Sequence, residues 1–122
     1  MNKVKTYIAN SEIQGIGLFA GEFIPKGTVI WELEQPFDKI WYKNAIQDVN
    51  EVAKRYLEKY SYCDKNKCCF MGDDAKYSNH ANNANTTSTF YTQIANRDIQ
   101  EGEEITTNYN EIDSEFRNNK KF

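Results

Sequence analysis

Apolar residues fall in short clusters along most of the chain, and each cluster is cut off within a few positions by Gly, Asn or Asp. That pattern predicts short strands at Val4–Ala9, Leu18–Ala20, Val29–Leu33, Cys68–Met71 and Thr89–Ala95, gathered into small sheets. Residues 44–60 differ. There Ile46, Val49, Val52 or Ala53, Tyr56 or Leu57, and Tyr60 recur every three to four positions, which predicts an amphipathic helix over Asn44–Tyr60. Its apolar stripe is expected to pack into the core.

Two stretches repeat each other at an offset of 75 residues, Ala20-Gly-Glu-Phe-Ile24-Pro-Lys-Gly27-Thr-Val-Ile30 and Ala95-Asn-Arg-Asp-Ile99-Gln-Glu-Gly102-Glu-Glu-Ile105. In both, an apolar residue precedes a turn carrying glycine, and an apolar strand follows. The reading is two similar β-corners in one β-rich domain.

Length and charge narrow the classes. A chain of 122 residues fits one domain with one modest core. Its hydrophobic fraction of 39% and charged fraction of 27% are those of a folded protein. A net charge of −3, with both signs interspersed, argues against direct nucleic-acid binding and is compatible with a basic protein partner. No apolar run of about 18 residues is present, so no membrane span is expected. No apolar stretch follows Met1-Asn2-Lys3-Val4-Lys5, so no secretion signal is expected either. Cys63, Cys68 and Cys69 are odd in number and bunched together. This predicts no disulfide framework, a reducing intracellular, cytoplasmic setting, and cysteines acting as small hydrophobes. Their spacing to His80, the one histidine, fits no compact zinc knuckle, so no metal is expected.

Three segments carry candidate chemistry. In Gly15-Ile16-Gly17-Leu18-Phe19, paired glycines let the backbone approach a ligand, although a plain turn reads equally well. Tyr77-Ser78-Asn79-His80-Ala81-Asn82-Asn83-Ala84-Asn85 collects donors and acceptors in one stretch, and a satisfied polar loop is the plainer reading. In Glu101-Gly102-Glu103-Glu104-Ile105-Thr106-Thr107-Asn108-Tyr109 an acidic turn, read as solvated, leads into a strand that ends in tyrosine. Read alone, Tyr109 is a core aromatic.

Taken in order, the segments resemble the hallmarks of SET-domain lysine methyltransferases. Gly15-Ile16-Gly17-Leu18-Phe19-Ala20 is similar to the family's G-x-G-L-F-A opening. Asn79-His80, with Asn85, is similar to its N-H-S-x-x-P-N motif, and Gly102-Glu103-Glu104-Ile105-Thr106 with Tyr109 to its G-E-E-L-T-x-x-Y ending. The resemblance implies a mainly β fold, the β-clip. Several small sheets are expected, with one inserted helix and a pseudoknot-like C-terminal threading that sets Tyr109 beside Asn79-His80. It implies one domain over residues 1–117, a variable insert at 36–75 that shapes the substrate groove, and a short polar tail at 118–122.

By the same resemblance, the reaction is methyl transfer from S-adenosyl-L-methionine to a lysine side chain of a protein, with a histone tail or another basic protein as candidate substrate. Gly15, Ile16, Gly17, Leu18, Asn79 and His80 hold the cofactor, and Tyr109 lies beside the transferring methyl. Tyr60 or Tyr62 adds an aromatic wall, with Tyr62 counted among the cofactor residues. Tyr77, Thr107 and Phe116 shape the substrate channel. The oligomeric state stays open, a homodimer included, as does a host nucleus as the location should the chain be viral or an effector. Four positions depart from the family pattern. Ala81 and Ala84 stand for the usual serine and proline, Thr107 for an aromatic that helps set methylation number, and Asn108 for an aspartate. The alternative is a catalytically silent SET fold acting as a protein-interaction module.

Overall fold

The structure, a computed structural model, describes residues 1–114. In chain order the elements are β1 (Thr6–Asn10), β2 (Ile16–Ala20), β3 (Val29–Glu32), β4 (Lys39–Tyr42), α1 (Glu51–Tyr60), β5 (Ser61–Asp64), β6 (Lys67–Phe70), β7 (Asn79–His80), β8 (Thr86–Ser88), β9 (Thr92–Ala95) and β10 (Glu104–Thr107). Three small sheets result, ordered β1-β2-β10-β7, β3-β9-β8 and β4-β6-β5. Among the described residues no helix is long and apolar enough to cross a membrane.

The internal repeat builds one of two core clusters; the other gathers Trp31, Tyr62, Cys69, Ala75, Phe90 and Ile112. Ile24 and Ile99 exchange N–H···O bonds of 2.8 Å in each direction. Gly27 N donates to Ala95 O and Gly102 N to Ala20 O, both at 2.8 Å, so each corner makes the same bond to the other. Both glycines have positive φ, 91° and 88°, the region where a side chain is disfavoured. The repeat partners Ala20 and Ala95, Ile24 and Ile99, and Ile30 and Ile105 join Leu18 in one fully buried cluster.

The C-terminal strand is threaded. Ile105 pairs with Leu18 of β2, and Thr106 and Thr107 then run parallel to Asn79 and His80 of β7. On the opposite edge, Thr106 N donates to Asn85 Oδ1 at 3.0 Å and Thr106 O accepts from Thr86 Oγ1 at 2.6 Å. Residues 79–86 therefore loop around β10, which places Tyr109 just beyond His80. Ala81 and Ala84 do not leave this loop slack. Ala81 N reaches Thr107 O at 3.1 Å, and Ala84 O accepts from Asn96 Nδ2 at 3.0 Å and Arg97 Nη1 at 3.1 Å.

Four expectations need correction. The helix over Asn44–Tyr60 is split into a 3-10 turn at Lys43–Ile46 and α1, because Asn50 is extended and its side chain accepts from Ala53 N, starting a new helix there. No residue of α1 is buried, so its stripe is peripheral: Val52 is 81% exposed, while Tyr56 and Tyr60 meet Phe70 and Tyr77 edgewise or tilted. The strand expected at Thr89–Ala95 starts only at Thr92, because residues 89–91 form the turn of a hairpin. Thr89 Oγ1 accepts from Tyr91 N at 3.2 Å and Thr92 N at 3.1 Å, which turns the chain between β8 and β9.

The cysteines supply the fourth. All three are buried, but the β5–β6 register sets Cys63 opposite Cys68, and the two form a disulfide while Cys69 stays free. An odd count therefore did not exclude a bridge inside one hairpin. Closing a loop with sequence separation 5 removes unfolded-state freedom worth about 2 kcal/mol. Thiol titration in denaturant should find one reactive thiol per chain without reductant and three with it.

Candidate active site

The turn between β1 and β2 closes with Ser11 N donating to Gly15 O at 2.8 Å. Asn79 holds this turn from the other side, its Nδ2 donating to Gln14 O at 3.0 Å and Ile16 O at 3.3 Å. The same amide donates to Glu104 Oε2 at 3.0 Å, and Ser11 Oγ donates to the Glu104 carboxylate at 2.8 and 2.9 Å. Glu104 is thus a half-buried brace and not part of a solvated acidic turn. Gly17 makes room for it, since a Cβ there would come within 2.5 Å of Glu104 Oε2. Over this brace opens a cleft of about 400 Å³ whose walls include Gly15, Ile16, Tyr60, Tyr77, Asn79 and Tyr109.

Tyr109 is fixed at both ends. Its backbone N–H donates to His80 Nδ1 at 3.1 Å, so the imidazole carries its hydrogen on Nε2, which lies 3.0 Å from Asn82 Oδ1 and donates to it. Its phenol donates to Ser78 O at 2.6 Å. Burial, with a smaller contribution from the Asp113 charge, pushes its pKa up to about 12. The phenol therefore keeps its proton through the neutral range. A folded-state pKa above the ordinary value of 10.0 favours the folded chain below pH 10, and this contribution is lost as pH rises through 12. Urea unfolding of the wild type should show stability falling across that window, with a shallower fall for Tyr109→Phe.

Behind Tyr109 lies a narrow second cavity of about 40 Å³, lined by Tyr62, Met71, Ala75, Ser78, Thr107 and Ile112 among others. Its polar side carries a hydrogen-bonded network. Ser78 Oγ and Thr107 Oγ1 are 2.7 Å apart, and Gln93 Nε2 donates to Thr107 Oγ1 at 2.8 Å and Thr86 Oγ1 at 3.0 Å. Tyr109 lines both the cleft and this pocket. It stands where a ligand in one would meet a group entering the other.

The structure brings Gly15, Ile16, Asn79, Tyr77 and Tyr109 together at the cleft, and Thr107 and Tyr109 at the narrow pocket. Gly17 sits beneath the cleft against Glu104, and Leu18 is wholly buried in the core. His80 does not line the cleft and contacts it through the N–H of Tyr109. Tyr62 is placed away from the cleft: it packs against Trp31 and Phe90, donates to Phe90 O at 2.6 Å, and lines the narrow pocket, while Tyr60 takes the aromatic position on the cleft. Phe116 lies outside the described residues. Sequence reasoning missed Glu104, Ser78, Lys59 and Lys76. Glu104 lies inside a recognised motif and Ser78 beside one, yet neither was given a role, and the lysines carried no motif signal. Among the described residues no group of three or more His, Cys, Asp or Glu is placed to hold a metal ion.

Comparison with known proteins bears on this geometry. The model of the SET domain family matches residues 15–110. A humanised mutant of the Chaetomium thermophilum Polycomb Repressive Complex 2, bound to an inhibitor, is similar with a TM-score of 0.65 at 20% identity over 87% of this chain. An active Polycomb Repressive Complex 2 in the basal state gives 0.65 at 22% over 87%. The chain spans 15% of the length of each of those two chains. A candidate histone methyltransferase of Plasmodium falciparum gives 0.59 at 21%, with 92% of this chain and 94% of that one covered. At these identities the likeness is one of fold. No curated protein matches by sequence.

Proposed function

The chain belongs to the SET-domain family, and on that premise we propose that it moves a methyl group from S-adenosyl-L-methionine to a lysine side chain of a protein. The observation that carries this reading is Tyr109 standing between the larger cleft and the narrow pocket, with its phenol fixed on Ser78 O.

The residues present fit the cofactor. A cleft of about 400 Å³ lies within the range of small-molecule sites, roughly 300–1,000 Å³. Its rim includes Gly15 and Ile16, in a turn held by Asn79, and next to them Gly17 leaves the space that Glu104 occupies. Gly15, Ile16 and Asn79 would hold the amino-acid and adenine parts, with Tyr60 and Tyr77 as aromatic walls. When bound, the cofactor supplies a methyl group activated by the sulfonium.

The protein's share is deprotonation and alignment. A free lysine is neutral in only about one molecule per thousand near pH 7.4, equivalent to about 4 kcal/mol. The apolar side of the narrow pocket, Met71, Ala75 and Ile112, disfavours the charged amine. Tyr109, protonated and anchored, offers its oxygen lone pairs to an entering N–H and so orients the nitrogen. The hydroxyls of Ser78 and Thr107 are occupied by one another and by Gln93, which keeps the pocket wall fixed.

Calorimetric titration with S-adenosylmethionine and with its demethylated product tests the cofactor side. Micromolar binding is expected for the wild type. Gly17→Ala displaces Glu104, frees the turn at 11–16, and should weaken binding by about tenfold, equivalent to about 1.4 kcal/mol. Absence of heat with either compound would contradict the proposal.

A further inference from the structure

The wall shared by the two cavities is built from a short repeat. Lys59-Tyr60-Ser61 ends α1, and Lys76-Tyr77-Ser78 ends the 3-10 turn at Asp74–Tyr77. The two tyrosine rings meet edge to face at 5.7 Å, which brings the segments against each other across the site. Both lysines line the cleft and the narrow pocket alike. Each side chain is steadied by aromatic faces. Lys59 Nζ lies 5.2 Å from the Tyr60 ring centre, and Lys76 Nζ lies 4.9 Å from that of Phe70 and 5.9 Å from that of Tyr77.

Neither lysine has an ion-pair partner among the described residues, whereas Lys3 and Lys54 pair with Glu34 and Glu51. Among the described residues the cleft has no carboxylate in its lining. Asp113 in the narrow pocket is 4% exposed, and Glu104 is turned onto Ser11 and Asn79. A chain of net charge −3 thus carries a locally positive mouth, where field lines concentrate and select by sign.

Resting on the methyl-transfer reading, we infer that Lys59 and Lys76 receive carboxylates, and that the preferred substrate is an acceptor lysine flanked by Asp or Glu rather than one within a basic run. Like-charge contact disfavours a tail of arginines and lysines at this mouth, whereas acidic neighbours complete two unmatched ammonium groups. The carboxylate has two sources, the substrate's flanking residues or the cofactor's own amino-acid end, and the inference assigns it to the substrate.

The test uses fluorescent peptides of equal length, each with one central lysine, flanked by glutamates, by arginines, or by serines. Anisotropy at low salt reads binding, and label from methyl-labelled S-adenosylmethionine reads transfer. The glutamate peptide should bind about tenfold tighter than the arginine peptide, with the gap closing at high salt. Lys59→Glu/Lys76→Glu should reverse the order, and Lys59→Met/Lys76→Met should abolish it, with circular dichroism confirming both folds. Equal or tighter binding of the arginine peptide overturns the inference, as does binding of no peptide. If the double variants lose cofactor binding by calorimetry and keep the wild-type peptide order, the carboxylate is the cofactor's and the inference fails. Tight binding of the glutamate peptide without transfer supports the charge preference and contradicts the enzymatic reading.

Discussion

Tyr109→Phe is expected to lower the rate of methyl transfer by about 10²–10³-fold, the loss typical of one positioned polar contact in a transition state. The substitution removes one oxygen atom. The main-chain N–H of residue 109 still donates to His80 Nδ1, and the ring still fills its place beside the imidazole at 5.2 Å. Loss of the bond to Ser78 O should cost about 1 kcal/mol of stability, and cofactor affinity should change little while kcat falls. A rise in KM with kcat unchanged would mean that the phenol only helps to bind substrate, and equal rates in both proteins would remove Tyr109 from the mechanism.

The second large effect is on stability and lies away from the site. Asp38 is fully buried, yet its carboxylate accepts from the Met1 ammonium at 2.6 Å, Glu34 N at 2.9 Å and Gly72 N at 2.8 Å. It ties the start of the chain to the entrance of β4 and the exit of β6. Asp38→Ala leaves two backbone donors unmatched and takes the charged partner from the Met1 ammonium, which is partly exposed and keeps its bond to Glu32 O. Leaving buried donors without an acceptor costs about 1–3 kcal/mol. For a domain of this size that corresponds to a drop in Tm of about 4–12 °C. Asp38→Asn keeps an oxygen acceptor for one donor and should fall between the two. A loss below about 1 kcal/mol for the alanine variant would show that the carboxylate is no anchor.

Much of this fold was legible because its core repeats. The alanine, isoleucine and glycine pairs 75 positions apart are the residues that exchange hydrogen bonds and fill the main cluster. The three motifs placed Gly15, Asn79 and Tyr109 at one cleft, because backbone-lined sites need small or amide-bearing residues that stand out in sequence. The rest depends on contacts between distant segments. Periodicity assigned α1 an apolar face but could not say that its neighbours are other half-exposed aromatics, so the stripe reads as core when it is rim. Tyr62 and Tyr60 are two positions apart, and only the β5–β6 register decides that Tyr62 turns inward to Phe90 while Tyr60 faces the cleft. Glu104 looked like one more charge in an acidic turn. Its role needs Ser11 and Asn79, which are 93 and 25 residues away.

The central claim is that a methyl group passes Tyr109 from the cleft to a lysine in the narrow pocket. The most direct measurement is to incubate the chain with methyl-labelled S-adenosylmethionine and a panel of proteins and peptides, hydrolyse the products, and identify the amino acid that carries label. The account predicts label on the side-chain nitrogen of lysine, nearly absent with Tyr109→Phe. Label on any other amino acid, or none at saturating cofactor across the panel, would contradict it.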